Sequence, residues 1–330
     1  MSNRGQAHQV AENRWLLRLT NLKLGMGPTG KPAPHKPIML VCLLDLIDSG
    51  ELTGPLVAFD VHLTQRFRDY WSLVAARQPS APDMALPFHH LSSDGVWRTL
   101  TADGAPSAAR ATTRLCEVVP ELWAELQDAG FRLAVRKALI IRYFEPLEQV
   151  ALCARHELAV PDTVEVHAVE ADAAAWRAMQ QKGRDSRFKS EVLAGYNFTC
   201  ALTGYRLMTE RAAIVQAAHI EQHATTGNDD PRNGLALTPD AHWMFDNGLW
   251  TVKPVGEALL VEVRAEGFDE SEGRLRARHG LPLVFHPLAR LRPKVEYLRW
   301  HWGRWGGVGP LAGRQAGSTP FYKGLNEHGI

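Results

Sequence analysis

Residues 214–252 read IVQAAHIEQHATTGNDDPRNGLALTPDAHWMFDNGLWTV, a pattern of strand, loop, strand and short helix. An apolar run (Val215, Ala217, Ala218) ends at His219, and Pro231-Arg232-Asn233-Gly234 supplies a turn. A second apolar run follows, and His242 begins a helical turn after Asp240. If His242 and Asp246 lie on one helix, their four-residue spacing puts them on one face, which suits chelation. A histidine near its solution pKa can act as general base. A divalent cation can stabilise a scissile phosphate and its leaving oxygen. A loop asparagine can hold a histidine or the metal without adding a titrating group. His219, Asn233 and His242 supply these parts in that order, so the stretch points to metal-assisted phosphodiester hydrolysis. Each residue alone carries little, since a lone histidine is usually structural and Asn-Gly is usually a turn. The combination makes the case.

The remaining composition bounds the setting. The chain has 330 residues, enough for two domains with separate cores, and 45% are hydrophobic, as in a soluble globular protein. The formal net charge is +1, so an anion-binding surface has to be local. Cys42, Cys116, Cys153 and Cys200 are far apart and form no CxxC pair, which argues against a disulfide framework or a four-cysteine zinc site and for a reducing, cytoplasmic location. No apolar run is long enough to span a membrane, and the N-terminal residues do not resemble a signal peptide.

Before the opening stretch the pattern is mostly helical. Periodicity predicts an amphipathic helix over 7–24 and, after the break GMGPTGKPAP, a nearly all-apolar helix from His35 towards Gly50, expected at the centre of its domain. A further helix is predicted over 60–77. Residues 85–100, ALPFHHLSSDGVWRTL, are expected as two short strands about a tight turn at Asp94-Gly95. Residues 120–144 suggest one or two helices broken at Gly130, and a short helix is expected after Arg187. The fold class is therefore α+β: a mostly helical domain with a small β-hairpin over 1–160, a linker over 161–185, and a second domain over 186–330. Residues 286–305 form a basic, tryptophan-rich tail. Its arginines suit phosphates and its tryptophans suit stacking, but both also suit packing onto the second domain.

The motifs Tyr196-x-x-x-Cys200-x-x-Thr203-Gly204, Ala218-His219-Ile220, Asn233-Gly234-Leu235-Ala236-Leu237 and His242-x-x-x-Asp246-x-Gly248 together resemble the HNH endonuclease motif of bacterial restriction enzymes. The resemblance spans roughly 187–255. It implies a ββα-metal fold in which His219 is the general base. Asn233 would orient the loop or contact the metal, and His242 would bind the metal together with Asp246. Two departures stand out: Ala218 occupies a position where a metal ligand is common, and Cys200 lacks a CxxC partner. The resemblance thus implies a sparse site for Mg²⁺, Mn²⁺ or a similar ion, with no structural zinc.

Ala33-Pro34-His35-Lys36-Pro37 and Leu86-Pro87-Phe88-His89-His90-Leu91 resemble the DNA sulfur-binding domain of McrA-like, phosphorothioate-dependent type IV restriction enzymes. By that resemblance Pro87 and Phe88 line a sulfur pocket, with Leu86 beside them, and His35, Lys36 and His89 or His90 contact DNA backbone or bases. Sulfur in place of a phosphate oxygen is larger, softer and less hydrated, so an apolar concavity favours it. The expected partner is double-stranded, phosphorothioated DNA. One active site per chain acting on two strands leads us to expect a homodimer. Two alternatives stay open: a domain that reads another modification, and a DNA-binding protein whose nuclease half is degenerate at Ala218.

Overall fold

The computed structural model describes residues 14–27, 29–76, 81–162, 164, 173–222 and 227–306. Two hydrophobic cores organise them. The first gathers buried side chains from Trp15 to Cys153. The second gathers Val61 with residues from Phe188 to Leu298.

At the centre of the first core is α1 (His35–Asp48), with nine buried residues from Pro37 to Leu46, as its all-round apolar sequence requires. Around it lie α2 (Val61–Val74), α3 (Ala85–His90), α4 (Pro120–Glu125), α5 (Ala129–Tyr143) and α6 (Pro146–Arg155). Three strands complete this half. β1 (Leu56–Ala58), β2 (Trp97–Leu100) and β3 (Leu115–Val118) form an antiparallel sheet in the order β1-β3-β2. The expected hairpin over 85–100 is corrected here. Ala85–His90 is helical, a 3₁₀ turn follows, and Gly95 (φ 65°) closes that turn before β2. The indole of Trp97 donates to the Phe88 carbonyl at 3.0 Å, which folds the helical arm back over the strand. The break in 120–144 falls at 126–128, where Asp128 caps α5, so Gly130 lies inside the helix. Of the first predicted helix, residues 14–19 are helical and 7–13 lie outside the described residues.

Residues 173–185, expected in the linker, are instead the first half of α7 (Ala173–Gly195), which continues past Arg187 and replaces the short helix expected there. The two halves of α7 serve different cores: Met179 packs on the first, and Phe188, Val192 and Leu193 belong to the second. Gly183 permits this close approach, because a Cβ there would overlap the carbonyl oxygen of Ala151 in α6.

The second half is a set of small antiparallel pairs. β4 (Gln216–His219) pairs with β5 (Gly234–Leu237), then α8 (Pro239–Asp246) follows, in the expected ββα order. β6 (Trp250–Val255) pairs with β7 (Ala258–Val263). α9 (Val295–Trp305) lies on β6. In α9 the aromatic residues largely pack. His301 stacks on Phe245 at 3.8 Å and bonds Thr251 at 2.7 Å, the Trp302 indole donates to Glu262, and Trp305 covers Gly248. Arg290 donates to the Ser49 carbonyl across the two halves, while Arg299 is exposed. No helix among the described residues is long and apolar enough to cross a membrane.

Burial pushes the His301 imidazole down to about 3, with the Phe245 backbone opposing and Arg304 adding to the shift. In an unfolded chain the same ring protonates near pH 6.5. Below that pH the unfolded state binds more protons, so stability falls as pH drops through this window. Melting temperature is expected to decline between pH 7 and 5, and His301→Gln is expected to make the decline shallower. The share of one histidine is at most about 1.4 kcal/mol per pH unit. An unchanged slope in the variant would reject this assignment.

Candidate active site

β4 delivers His219 to the point where the strand pair opens, opposite Gly234 in the register. Asn233 then fixes the loop that leaves His219. Its side-chain carbonyl accepts the Glu221 N–H at 2.8 Å, and its amide donates to the Glu221 and Asn228 carbonyls at 3.1 Å each. Its own backbone carbonyl accepts from Ile220. The residue has no solvent exposure, and both polar side-chain atoms are committed to backbone. Of the two roles expected for Asn233, orienting the loop matches this geometry. Contacting a metal would require breaking these bonds, at a cost of about 1–3 kcal/mol for each buried group left unpaired.

The His219 ring is held on two sides. Phe188 of α7 stacks on it with centroids 3.7 Å apart and planes within 3°. Asp229 places Oδ1 3.8 Å from His219 Nε2, and Arg184 of α7 lies 3.3 Å from Asp229 Oδ2. Gly234 makes the stack possible, since a Cβ there would overlap Val192 and approach Phe188 Cζ to 3.0 Å.

On α8, His242 and Asp246 share one face, with Nε2 3.3 Å from Oδ2. Gln216 Oε1 lies 3.2 Å from His242 Nδ1. An amide oxygen only accepts, so it selects the Nδ1–H tautomer and turns the Nε2 lone pair towards the carboxylate. Two acceptors facing each other call for a proton or a cation between them. Burial raises the Asp246 pKa against the opposing pull of His242. An imidazole nitrogen beside a half-exposed carboxylate is a donor set that suits a divalent ion, and in that respect the residues fit a metal. Among the described residues no group of three or more His, Cys, Asp or Glu side chains converges. Water and substrate oxygens would therefore complete the coordination. Ala218 is fully buried in the core, and Cys200 is buried with its Sγ accepting the Thr238 N–H at 3.5 Å.

A second site lies in the N-terminal half. His35, Lys36, Leu86, Pro87 and His90 line one cavity of about 580 Å³, together with Leu24, Met26 and Ala33. Two of the expected pocket residues lie outside it. Phe88 is 1% exposed and packs its ring against Phe59 and Trp97, while His89 bonds Thr113 at 2.8 Å. The helical arm explains the correction, because successive residues on a helix point about 100° apart. Leu86, Pro87 and His90 face the cavity, and Phe88 points from the same arm into the core. Lys36 binds Asp94 at 2.6 Å and the Lys23 carbonyl at 2.8 Å, so its charge shapes the rim. Burial lowers the His35 pKa, with Asp83 opposing, and the His35 ring lies 4.5 Å from Trp71.

Comparison with known proteins places the ββα unit. Residues 200–253 match the family described as HNH endonuclease. A solved structure, the "Modification dependent TagI restriction endonuclease", aligns at 24% identity with a TM-score of 0.29. The match covers 38% of this chain and 40% of that one, and a likeness of this extent establishes no common overall fold. No curated protein matches the chain.

Sequence reading missed Gln216, Asp229 and Phe188. Nothing local marks them, because each acts through a residue distant in sequence. Gly234→Ala tests the packing behind His219. The variant is expected to lose about 1–3 kcal/mol, as overpacked cores do, read as a lower melting temperature. An unchanged melt would show that the space behind His219 is not filled as described.

Proposed function

We propose that this chain is a modification-dependent endonuclease that binds phosphorothioated double-stranded DNA and hydrolyses it near the mark. The observation that carries the reading is the joining of two sites in one chain. One is the His219–Asn233–His242–Asp246 arrangement in a matched HNH unit. The other is the apolar cavity that gathers five residues of the HKP and LPFHH segments. The mostly apolar lining supports a sulfur contact. Among the described residues it holds Leu, Met, Ala and Pro, no Phe, Tyr or Trp, and two imidazoles, His35 and His90, as its only aromatic rings. Lys23 and His90 in its lining suit the phosphate, Lys36 is paired with Asp94 and shapes the cavity, and the apolar wall suits the sulfur.

In the cleavage step, His219 takes a proton from water, the resulting oxygen bonds to phosphorus, and the bond to the leaving sugar oxygen breaks. Asn233 holds the loop and so keeps His219 at the strand end. His242 and Asp246 would hold a divalent ion, which when bound stabilises charge on the phosphate and leaving oxygen. Two strands and one site per chain favour a homodimer on DNA, which light scattering with and without duplex would test.

Cleavage of one duplex with and without phosphorothioate, in Mg²⁺ or Mn²⁺, tests the whole reading. Preferential cutting of the modified duplex and loss of cutting in EDTA are expected. Equal cutting would remove modification dependence, and specific binding without cutting under any ion would favour a degenerate nuclease. His219→Ala is expected to lower cleavage by about 10²–10⁴-fold with binding near normal. Leu86→Asp is expected to weaken binding of the modified duplex at least tenfold and to leave the plain duplex unaffected. Equal losses on both duplexes would move recognition away from the cavity.

A further inference from the structure

We infer that Asp229 is a positioning residue for His219, selecting its tautomer while Phe188 fixes its ring plane. The inference rests on the reading of His219 as general base.

Three observations converge. First, the near-parallel stack at 3.7 Å leaves the imidazole little rotation about its last torsion, because turning the ring would drive it into Phe188. Phe188 is itself held, being 2% exposed and seated over the bare backbone of Gly234. Second, within that plane Nε2 is the nitrogen turned towards a carboxylate, Asp229 Oδ1 at 3.8 Å. A carboxylate accepts and never donates when ionised, so it favours the tautomer with hydrogen on Nε2. Nδ1 is then the basic nitrogen that accepts the water proton. Third, Asp229 is anchored from behind by Arg184 at 3.3 Å and is 9% exposed, which fixes the direction of its charge. The neighbouring Asp230 is engaged elsewhere, with Arg232 at 2.9 Å and Lys294 at 3.0 Å, and does not compete for the ring. The gap between Nε2 and Oδ1 is longer than a hydrogen bond. Contacts of this kind commonly tighten when substrate arrives.

The resulting proton path is short. Water gives its proton to Nδ1, and the imidazolium so formed carries N–H on both nitrogens. The Nε2–H faces Asp229, whose negative charge stabilises the new positive one. Asp229 accepts no proton in this step. It makes the ring a better acceptor and keeps the reactive edge turned outward.

Asp229→Asn preserves the volume and removes the charge, so the full chain carrying it is the test. On whichever duplex the wild type cuts, kcat is expected to fall roughly 10- to 100-fold, within the range of general-base effects. KM for DNA and the melting temperature are expected to stay near wild type. In a His219→Ala background the same substitution is expected to add no further loss. Nitrogen-15 spectra above the histidine titration range supply a readout that does not need turnover, with the His219 signals identified by their absence in His219→Ala. One Nε2–H tautomer is expected in the wild type and a mixture in Asp229→Asn, since an amide can donate or accept. An unchanged tautomer overturns the inference, as does an additive loss in the double variant or an unchanged kcat. If His219→Ala itself still cuts, the general-base reading fails, and the tautomer spectra still decide whether Asp229 sets the ring.

Discussion

The structure depends on the buried charge of Asp69. This α2 carboxylate is almost fully enclosed and takes its partners largely from α7, more than a hundred residues later. Ser190 donates to Oδ2 at 2.5 Å, Lys189 lies 3.3 Å from Oδ1, and Ser186 bonds the Asp69 carbonyl. Arg155 of α6 then donates to both serines, at 2.7 and 3.0 Å. Removing one partner from a buried charge pair typically costs about 3–5 kcal/mol. Sliding α7 along α2 would strip the carboxylate of several partners at once. α7 is thereby held in register on the N-terminal half, with Phe188 and Arg184 projecting to the other side.

The second half, which holds the ββα unit, is organised from that register. Phe188 meets His219, Arg184 meets Asp229, and Val192 fills the space above Gly234. Asn233 works locally, tying the loop to its own strand ends, whereas α7 works at long range, setting the plane of the ring. On α8, Asp246 is half exposed, while His242 is covered about as much as His219 and is held by Gln216 rather than by a ring stack.

Much of this was legible in the sequence where the signal is local. The ββα order, the buried α1 and the spacing of His242 and Asp246 all follow from periodicity within a few turns. The errors came where long-range contacts decide. Residues 85–90 look like a strand by composition, yet the Trp97 indole and the Phe88 side chain draw them into a helical arm over β2. That turn buries Phe88 and removes it from the cavity wall, while Pro87 one residue earlier stays on it. Residues 173–185 carry weak periodicity because their helix packs on α6 through Gly183 rather than through a broad apolar stripe. Asp229 was invisible for a related reason. In Asn-Asp-Asp-Pro it looks like turn chemistry, and only folding brings it to His219.

One helix shared by both cores has a consequence for where such an enzyme would cut. Two domains on a loose tether sample many separations, and their products scatter in length. Here no slack separates the N-terminal half from the second half along α7, because Ser186 and Ser190 sit on one and Phe188, between them, sits on the other. The molecule behaves as a caliper with a locked jaw. On the reading proposed for it, the interval between mark and break is set by the protein's own dimensions, and fragment ends should fall at one spacing from the mark.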